Sequence, residues 1–142
     1  MLVRECLRKA PVTVPPECTL EEAAGLMGTH DVGSLLVVSG GELLGIVTDR
    51  DIVIRAVSTG QSLRTHVSTV MSESPIVIQG SVDIFEAFRI LKDAGVRRLP
   101  VLEERDIAGI ITVDDLLVFL VLELGAVIAP VAGEIVHPKS SV

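Results

Sequence analysis

Gly45-Ile46-Val47-Thr48-Asp49-Arg50-Asp51 returns 64 positions later as Gly109-Ile110-Ile111-Thr112-Val113-Asp114-Asp115. The return extends well beyond this heptad. Residues 11–51 laid on 75–115 without a gap pair Pro11 with Pro75, Glu22 with Glu86 and Ala23 with Ala87. They also pair Val32 with Val96, Leu35 with Leu99 and Val37 with Val101, and most other apolar positions exchange only Ile, Leu, Val and Met. An internal period of this length means that the unit of folding is the repeat, so the chain reads as two copies of one module.

Each copy predicts the same order of elements. Val12-Thr13-Val14 and Ile76-Val77-Ile78 are short β-branched runs followed by turn residues. Thr19-x-x-Glu22 is a capping box, with Asp83-x-x-Glu86 at the equivalent place, and each opens a helix with one apolar face. Leu35–Val38 and Leu43–Val47 flank Ser39-Gly40-Gly41-Glu42 as a hairpin, repeated as 99–102, a turn at 103–106, and 107–111. A second helix starts at Thr48 and stops near Thr59-Gly60; its counterpart starts at Thr112 and runs into an apolar tail. The expectation is an α+β fold of two β-α-β-β-α repeats about a pseudo-twofold axis, each sheet three-stranded, with residues 60–70 as connector. The divisions are 1–60 for the first repeat, 61–125 for the second and 126–142 for a helical tail.

With 142 residues in all, each copy alone lies near the lower limit for a self-sufficient core, and packing two together relieves it. The net charge of −7 and the absence of Trp and Tyr argue against a nucleic-acid surface. Any anionic ligand must be met by a few local cations. Cys6 and Cys18 form no metal-spaced pair and read as reduced thiols, and the N-terminus has no secretory pattern, which predicts a cytoplasmic protein. His30, His66 and His137 are scattered, so no metal site is expected. Leu116 to Gly133 is almost wholly apolar, but Glu123 and Pro130 interrupt it. A helix buried in the protein or in a homodimer, with no membrane partner, is the expectation.

The repeated order, closed each time by Gly-h-h-Thr-x-x-Asp (h, apolar), resembles the cystathionine-β-synthase (CBS) domain pair over roughly residues 3–124. Val70-Met71, Val96-Arg97-Arg98-Leu99-Pro100-Val101 and the heptads themselves carry the resemblance. It implies a disc-like module that binds adenine nucleotides (AMP, ADP or ATP) or S-adenosylmethionine as regulatory ligands between its copies, and that pairs with a second module.

The residues bear two readings. Thr48-x-x-Asp51 and Thr112-x-x-Asp115 serve simply as helix N-caps with acidic first turns. Alternatively, the Asp carboxylate accepts the two hydroxyls of a ribose while Thr and helix-start N–H groups meet ribose or phosphate oxygens. Ile46-Val47 and Ile110-Ile111 would then sandwich a purine whose edge is read by backbone at Thr13 or Val77. The resemblance sets Arg97 and Arg98 with the Asp51 site and Gly33-Ser34 with the Asp115 site. A phosphorylated ligand is therefore expected at Asp51, and a weak, empty or less charged site at Asp115. No nucleophile–base motif or phosphate loop stands out in the sequence, so the expectation is a non-enzymatic sensor acting on a partner protein or through its dimer. The alternative is a ligand-free interaction module in which the motif residues are caps and the tail docks a partner.

Overall fold

The computed structural model describes residues 1–136; His137 and the end of the expected tail, 137–142, lie outside them. The first half runs β1 (Thr13–Val14), α1 (Leu20–His30), β2 (Ser34–Ser39), β3 (Glu42–Thr48) and a short α2 (Asp49–Asp51) that continues as a π-helical turn, Ile52–Val57. After a 3₁₀ turn at Val67–Thr69 and β4 (Ser72–Glu73), the second half repeats the order. It comprises β5 (Ile78–Gln79), α3 (Ile84–Ala94), β6 (Arg98–Glu103), β7 (Asp106–Thr112) and α4 (Val113–Val136).

The capping chemistry is as expected in the first copy and halved in the second. Thr19 accepts from the Glu22 N–H and Glu22 returns a bond from the Thr19 N–H at 2.9 Å, which holds the Glu22 carboxyl below its ordinary range. Asp83 caps the Phe85 N–H, but Glu86 turns outward to Arg89. Helix α1 ends on Asp31 and α3 on Gly95, both left-handed with φ of 50° and 65°.

Both hairpins close with two residues, Gly40-Gly41 and Glu104-Arg105, so the strands run further into the expected four-residue turns. Gly40 and Gly41 carry φ of 58° and 80°, which the tight turn requires. Each hairpin also carries a register shift at the same place, Val37/Val38 and Val101/Leu102. The sheets themselves differ: β1-β2-β3-β4 is four-stranded and β5-β6-β7 three-stranded, whereas sequence predicted three in each. The extra strand is Ser72–Glu73, paired antiparallel with Gly45 and Ile46. Val77 falls just outside β5 and is exposed.

One core packs α1 on its sheet through Leu20, Ala23, Leu35, Val37 and Val47; the other packs α3 and the start of α4 through Ile84, Ala87, Leu99, Val101, Ile111 and Leu116. Alternation along a strand sends neighbours to opposite faces. Leu36 and Pro100 alternate away from these cores yet are fully buried, so the second face of each sheet is covered as well.

The repeat extends to the N-terminus. Val3 and Cys6 sit in the second core, and Val67 and Val70, 64 positions on, sit in the first. The Val3 N–H donates to Val82 O at 2.8 Å and the Val67 N–H to Cys18 O at 2.8 Å, which are matched bonds. Each half is thus completed by a segment lying just ahead of the other half's first strand. The thiols of Cys6 and Cys18 are unbridged, in separate cores, and burial pushes both up.

Helix α4 is packed at its start and exposed along the rest. Its first turns pack through Leu116 and Phe119, but Val121, Leu122, Leu124, Val127, Ile128 and Val131 are each more than half exposed. It is not buried within the chain. The helix is long and apolar enough to cross a membrane: an 18-residue stretch within Val113–Gly133 has mean hydropathy 2.4 and is 6% buried.

The motif glycines explain how the completing segments lie so close. A Cβ on Gly45 would stand 2.6 Å from Met71 Sδ and 2.8 Å from the backbone oxygen of Ser72. On Gly109 it would meet only the Leu7 side chain, at 3.1 Å. Gly45→Ala must move backbone and should destabilise by about 1–3 kcal/mol, while Gly109→Ala, facing a movable Leu, should cost less. Urea unfolding of the two variants measures the difference.

Candidate functional site

Between the halves lies a cavity of about 360 Å³. One wall is Ile110, Thr112 and Asp115 from the end of β7 and the start of α4. The other comes from the first half: Ala10, Pro11 and Val12 ahead of β1, and Asp31, Val32, Gly33 and Ser34 leading into β2. Arg8, Lys9 and Arg98 complete it. Three cations face two carboxylates, Asp31 and Asp115, so the cavity is net positive in a chain of net charge −7.

The site is local chemistry at the ends of strands. Thr112 faces Arg98 across the hairpin and Thr48 faces Ser34, so both hairpins deliver their motif Thr and a strand-opening polar residue at the same level. The Arg98 guanidinium then crosses to the other half, its Nη1 donating to Gly33 O at 3.2 Å. A Cβ on Gly33 would lie 3.3 Å from an Asp49 carboxylate oxygen and 3.7 Å from that guanidinium, so glycine keeps this crossing open.

Both motif Asp residues cap their helices. The Thr48 N–H donates to Asp51 Oδ2 at 2.9 Å and the Asp51 N–H donates to Thr48 Oγ1 at 3.0 Å. Asp115 Oδ2 accepts from the Thr112 N–H at 3.1 Å and from its hydroxyl at 2.7 Å. The second oxygens differ in their charged neighbours: among the described residues neither has a hydrogen-bond partner, but Asp51 Oδ1 faces Arg55 Nε at 3.8 Å and Asp115 Oδ1 has no such ion pair. A ribose diol needs such a free acceptor.

The expected site residues therefore divide. Ser34, Arg98, Ile110, Thr112 and Asp115 come together around the cavity. Arg98 was expected beside Asp51, but its crossing to Gly33 puts it in the Asp115 cavity. Arg97 is exposed and paired with Asp114 at 3.5 Å. Val47 is wholly buried in the first core and Ile46 nearly so, which leaves Val47 no face for a purine. Thr13 is exposed in β1 and borders a separate groove with Cys18 and Glu22, while Val12 takes the cavity wall. Val77 lines neither space. Thr48 and Asp51 bond to each other, and Arg55 beside Asp51 also donates to Val70 O at 2.9 Å and Ser72 Oγ at 3.4 Å.

Sequence reasoning missed Arg8 and Lys9. Their signal was present one step beyond residue 11, where the repeat was taken to begin: Arg8-Lys9 stands opposite Ser72-Glu73. In the first half that stretch is zipped onto β3 as β4; in the second it stays off the sheet and lines the cavity. Among the described residues no group of three or more His, Cys, Asp or Glu is placed to hold a metal ion.

Two repeats, each closed by a Thr-x-x-Asp helix start, with a cleft lined by both halves, define a tandem module. The CBS domain family model matches residues 3–58 and 67–122, and the chain belongs to that family. CBS domain-containing protein YhcV of Bacillus subtilis is 35% identical over 116 residues, covering 82% of this chain and 83% of its own. Among solved structures, the CBS domain protein PAE2072 from Pyrobaculum aerophilum, complexed with AMP, superimposes with a TM-score of 0.77 at 23% identity, covering 89% of this chain and 99% of its own. The CBS domain pair of protein MJ0100, in complex with 5′-methylthioadenosine and S-adenosyl-L-methionine, gives 0.78 at 23%, covering 87% and 98%.

The cap function is separable from any ligand. Thr48→Ala and Thr112→Ala each remove a side-chain acceptor at a helix start and should cost about 1 kcal/mol of stability without ligand, read from urea midpoints at unchanged slope.

Proposed function

We propose that this protein is a non-enzymatic regulatory module that binds an adenosyl ligand in the Asp115 cavity. The observation that carries the reading is the free Asp115 Oδ1 in a net-positive cleft built by both repeats. The ribose diol would bond Asp115, the base would lie between Ile110 and Val12, and a phosphate would meet Arg8, Lys9 and Arg98. The ligands of PAE2072 and of MJ0100 support the adenosyl class. Three cations favour a nucleotide such as AMP, ADP or ATP over S-adenosylmethionine, whose sulfonium is itself positive. This reverses the order expected from sequence, since the phosphate-binding side falls at Asp115 and the Asp51 carboxylate is answered by Arg55.

A ligand that touches both halves shifts the population of their arrangement by its differential affinity for each. The output passes to a second copy of the chain or a partner protein. We assign the exposed α4 surface to a homodimer in the cytoplasm, with no nucleic-acid or membrane partner. Glu123 stands mid-length among its apolar residues, and its first turn is held in the cavity wall by Asp115. The same surface favours the second reading, a ligand-free interaction module.

Titration calorimetry with AMP separates the two. Asp115→Ala should weaken binding at least tenfold, an order-of-magnitude figure for losing a charge-assisted acceptor, while Asp51→Ala should leave it within about twofold. Equal loss in both variants, or no binding by the wild type, would overturn the assignment. For the tail, sedimentation of the intact chain should give a dimer and the variant Val121→Asp/Val127→Asp a monomer. A wild-type monomer contradicts the homodimer.

A further inference from the structure

Phe119 stands 64 positions after Arg55, and Arg8 stands 64 before Ser72. The two pairs occupy matching places, and both are in contact: Arg55 Nη1 reaches Ser72 Oγ at 3.4 Å, and the Arg8 guanidinium carbon lies 5.2 Å from the centre of the Phe119 ring. The repeat has kept the contact and exchanged its chemistry. In the first half the cation sits on the helix and faces its own Asp51. In the second half the helix offers an aromatic face, the cation sits on the completing segment, and that cation lines the Asp115 cavity.

A guanidinium has two separate binding surfaces. Its flat face stacks on an aromatic ring, and its N–H groups point outward in the plane. With its guanidinium carbon 5.2 Å from the ring centre, Arg8 is within cation–π range of Phe119 and keeps N–H groups for phosphate oxygens. We propose that the Arg8–Phe119 contact is a positioning device that aims Arg8 at an anionic group in the Asp115 cavity and so couples phosphate occupancy of that cavity to the base of α4. The proposal rests on the adenosyl-ligand reading above and adds what the ligand's phosphate does.

The direction of coupling follows from the geometry. An Arg8 already held at the ring loses less side-chain freedom when it meets the phosphate, so the contact tightens binding of phosphorylated ligands. By reciprocity the phosphate holds Arg8 on the ring and steadies the first turns of α4, the helix whose apolar remainder is exposed. A nucleoside without phosphate fills the same cavity and leaves Arg8 unengaged. The cavity would thereby report phosphorylation, and not only the presence of a base and ribose, to the tail.

The test uses the full chain with AMP and adenosine as probes. Phe119→Leu keeps an apolar side chain against the second core and removes the ring face. It should weaken AMP binding about three- to tenfold, the range of a partly desolvated cation–π contact, and leave adenosine binding unchanged. Arg8→Lys, at an exposed position, should weaken AMP similarly, and the double variant should lose less than the two losses multiplied together. AMP, but not adenosine, should slow amide exchange in the first two turns of wild-type α4, and Phe119→Leu should abolish that difference. Equal loss of AMP and adenosine affinity in Phe119→Leu would reduce Phe119 to packing, and independent losses in the double variant would separate Arg8 from it; either overturns the proposal. Wild type that binds neither probe would overturn the ligand reading itself, a result distinct from tight AMP binding indifferent to Phe119.

Discussion

The close approach of two short segments to two glycines holds this structure together. Met71 and Ser72 lie against Gly45, and Leu7 lies against Gly109, at distances that a side chain on the first glycine could not share. Because of that approach, Val67 and Val70 fill one core, and Val3 and Cys6 fill the other. At this size a β-α-β-β unit is marginal by itself, and each is completed by the segment that precedes its neighbour. The residues that follow Leu7, 8–12, then line the cleft between the halves, while Ser72-Glu73 pairs with β3. The cleft is lined by chain that the core has already positioned.

Duplication makes the two sides of that cleft equivalent, and a handful of substitutions make them different. Ser72-Glu73 joins β3 as an edge strand, and Arg55 turns toward Asp51 and Ser72. Arg8-Lys9 stays off the sheet, and the helix position opposite carries Phe119 in place of Arg. Moving one positive charge from helix to connector changes the site twice over. It leaves Asp115 Oδ1 open to accept a hydrogen bond, and it adds a cation to the cavity that Arg98 enters from the other side. Backbone symmetry thus coexists with electrostatic asymmetry.

The parts of this architecture that depend on local pattern could be read from sequence. The Thr19 capping box, both hairpins and the Thr-x-x-Asp helix starts are each set by residues within a few positions of one another. Features that depend on distant partners could not. Val77 carries strand propensity but no ladder partner, since β5 pairs from Ile78 with Val101. Val47 looks like a cleft residue by its place in the motif, yet alternation turns it into the core. Sequence set Arg98 with Asp51, whereas the structure places it in the cavity with Asp115, because a long side chain at a strand start can cross the axis and its bond to Gly33 O spans 65 positions. Arg8 and Lys9 were passed over because the repeat weakens in identity ahead of Pro11 while its geometry continues.

Helix α4 joins the two levels of the molecule. Asp115 in its first turn lines the cleft, Phe119 one turn on packs on the second core and meets Arg8, and the apolar length beyond them is exposed. A change sensed at one end is therefore carried on the same rigid element as the surface offered at the other. Titrating the ¹⁵N-labelled protein with AMP and following its amide resonances would reveal which cleft is occupied. Saturable shifts should cluster at Lys9, Ala10, Gly33, Ser34, Ile110 and Asp115. Shifts centred instead on Ser72, Glu73, Thr48 and Asp51, or none at millimolar AMP, would contradict an anion-binding cavity built around Asp115.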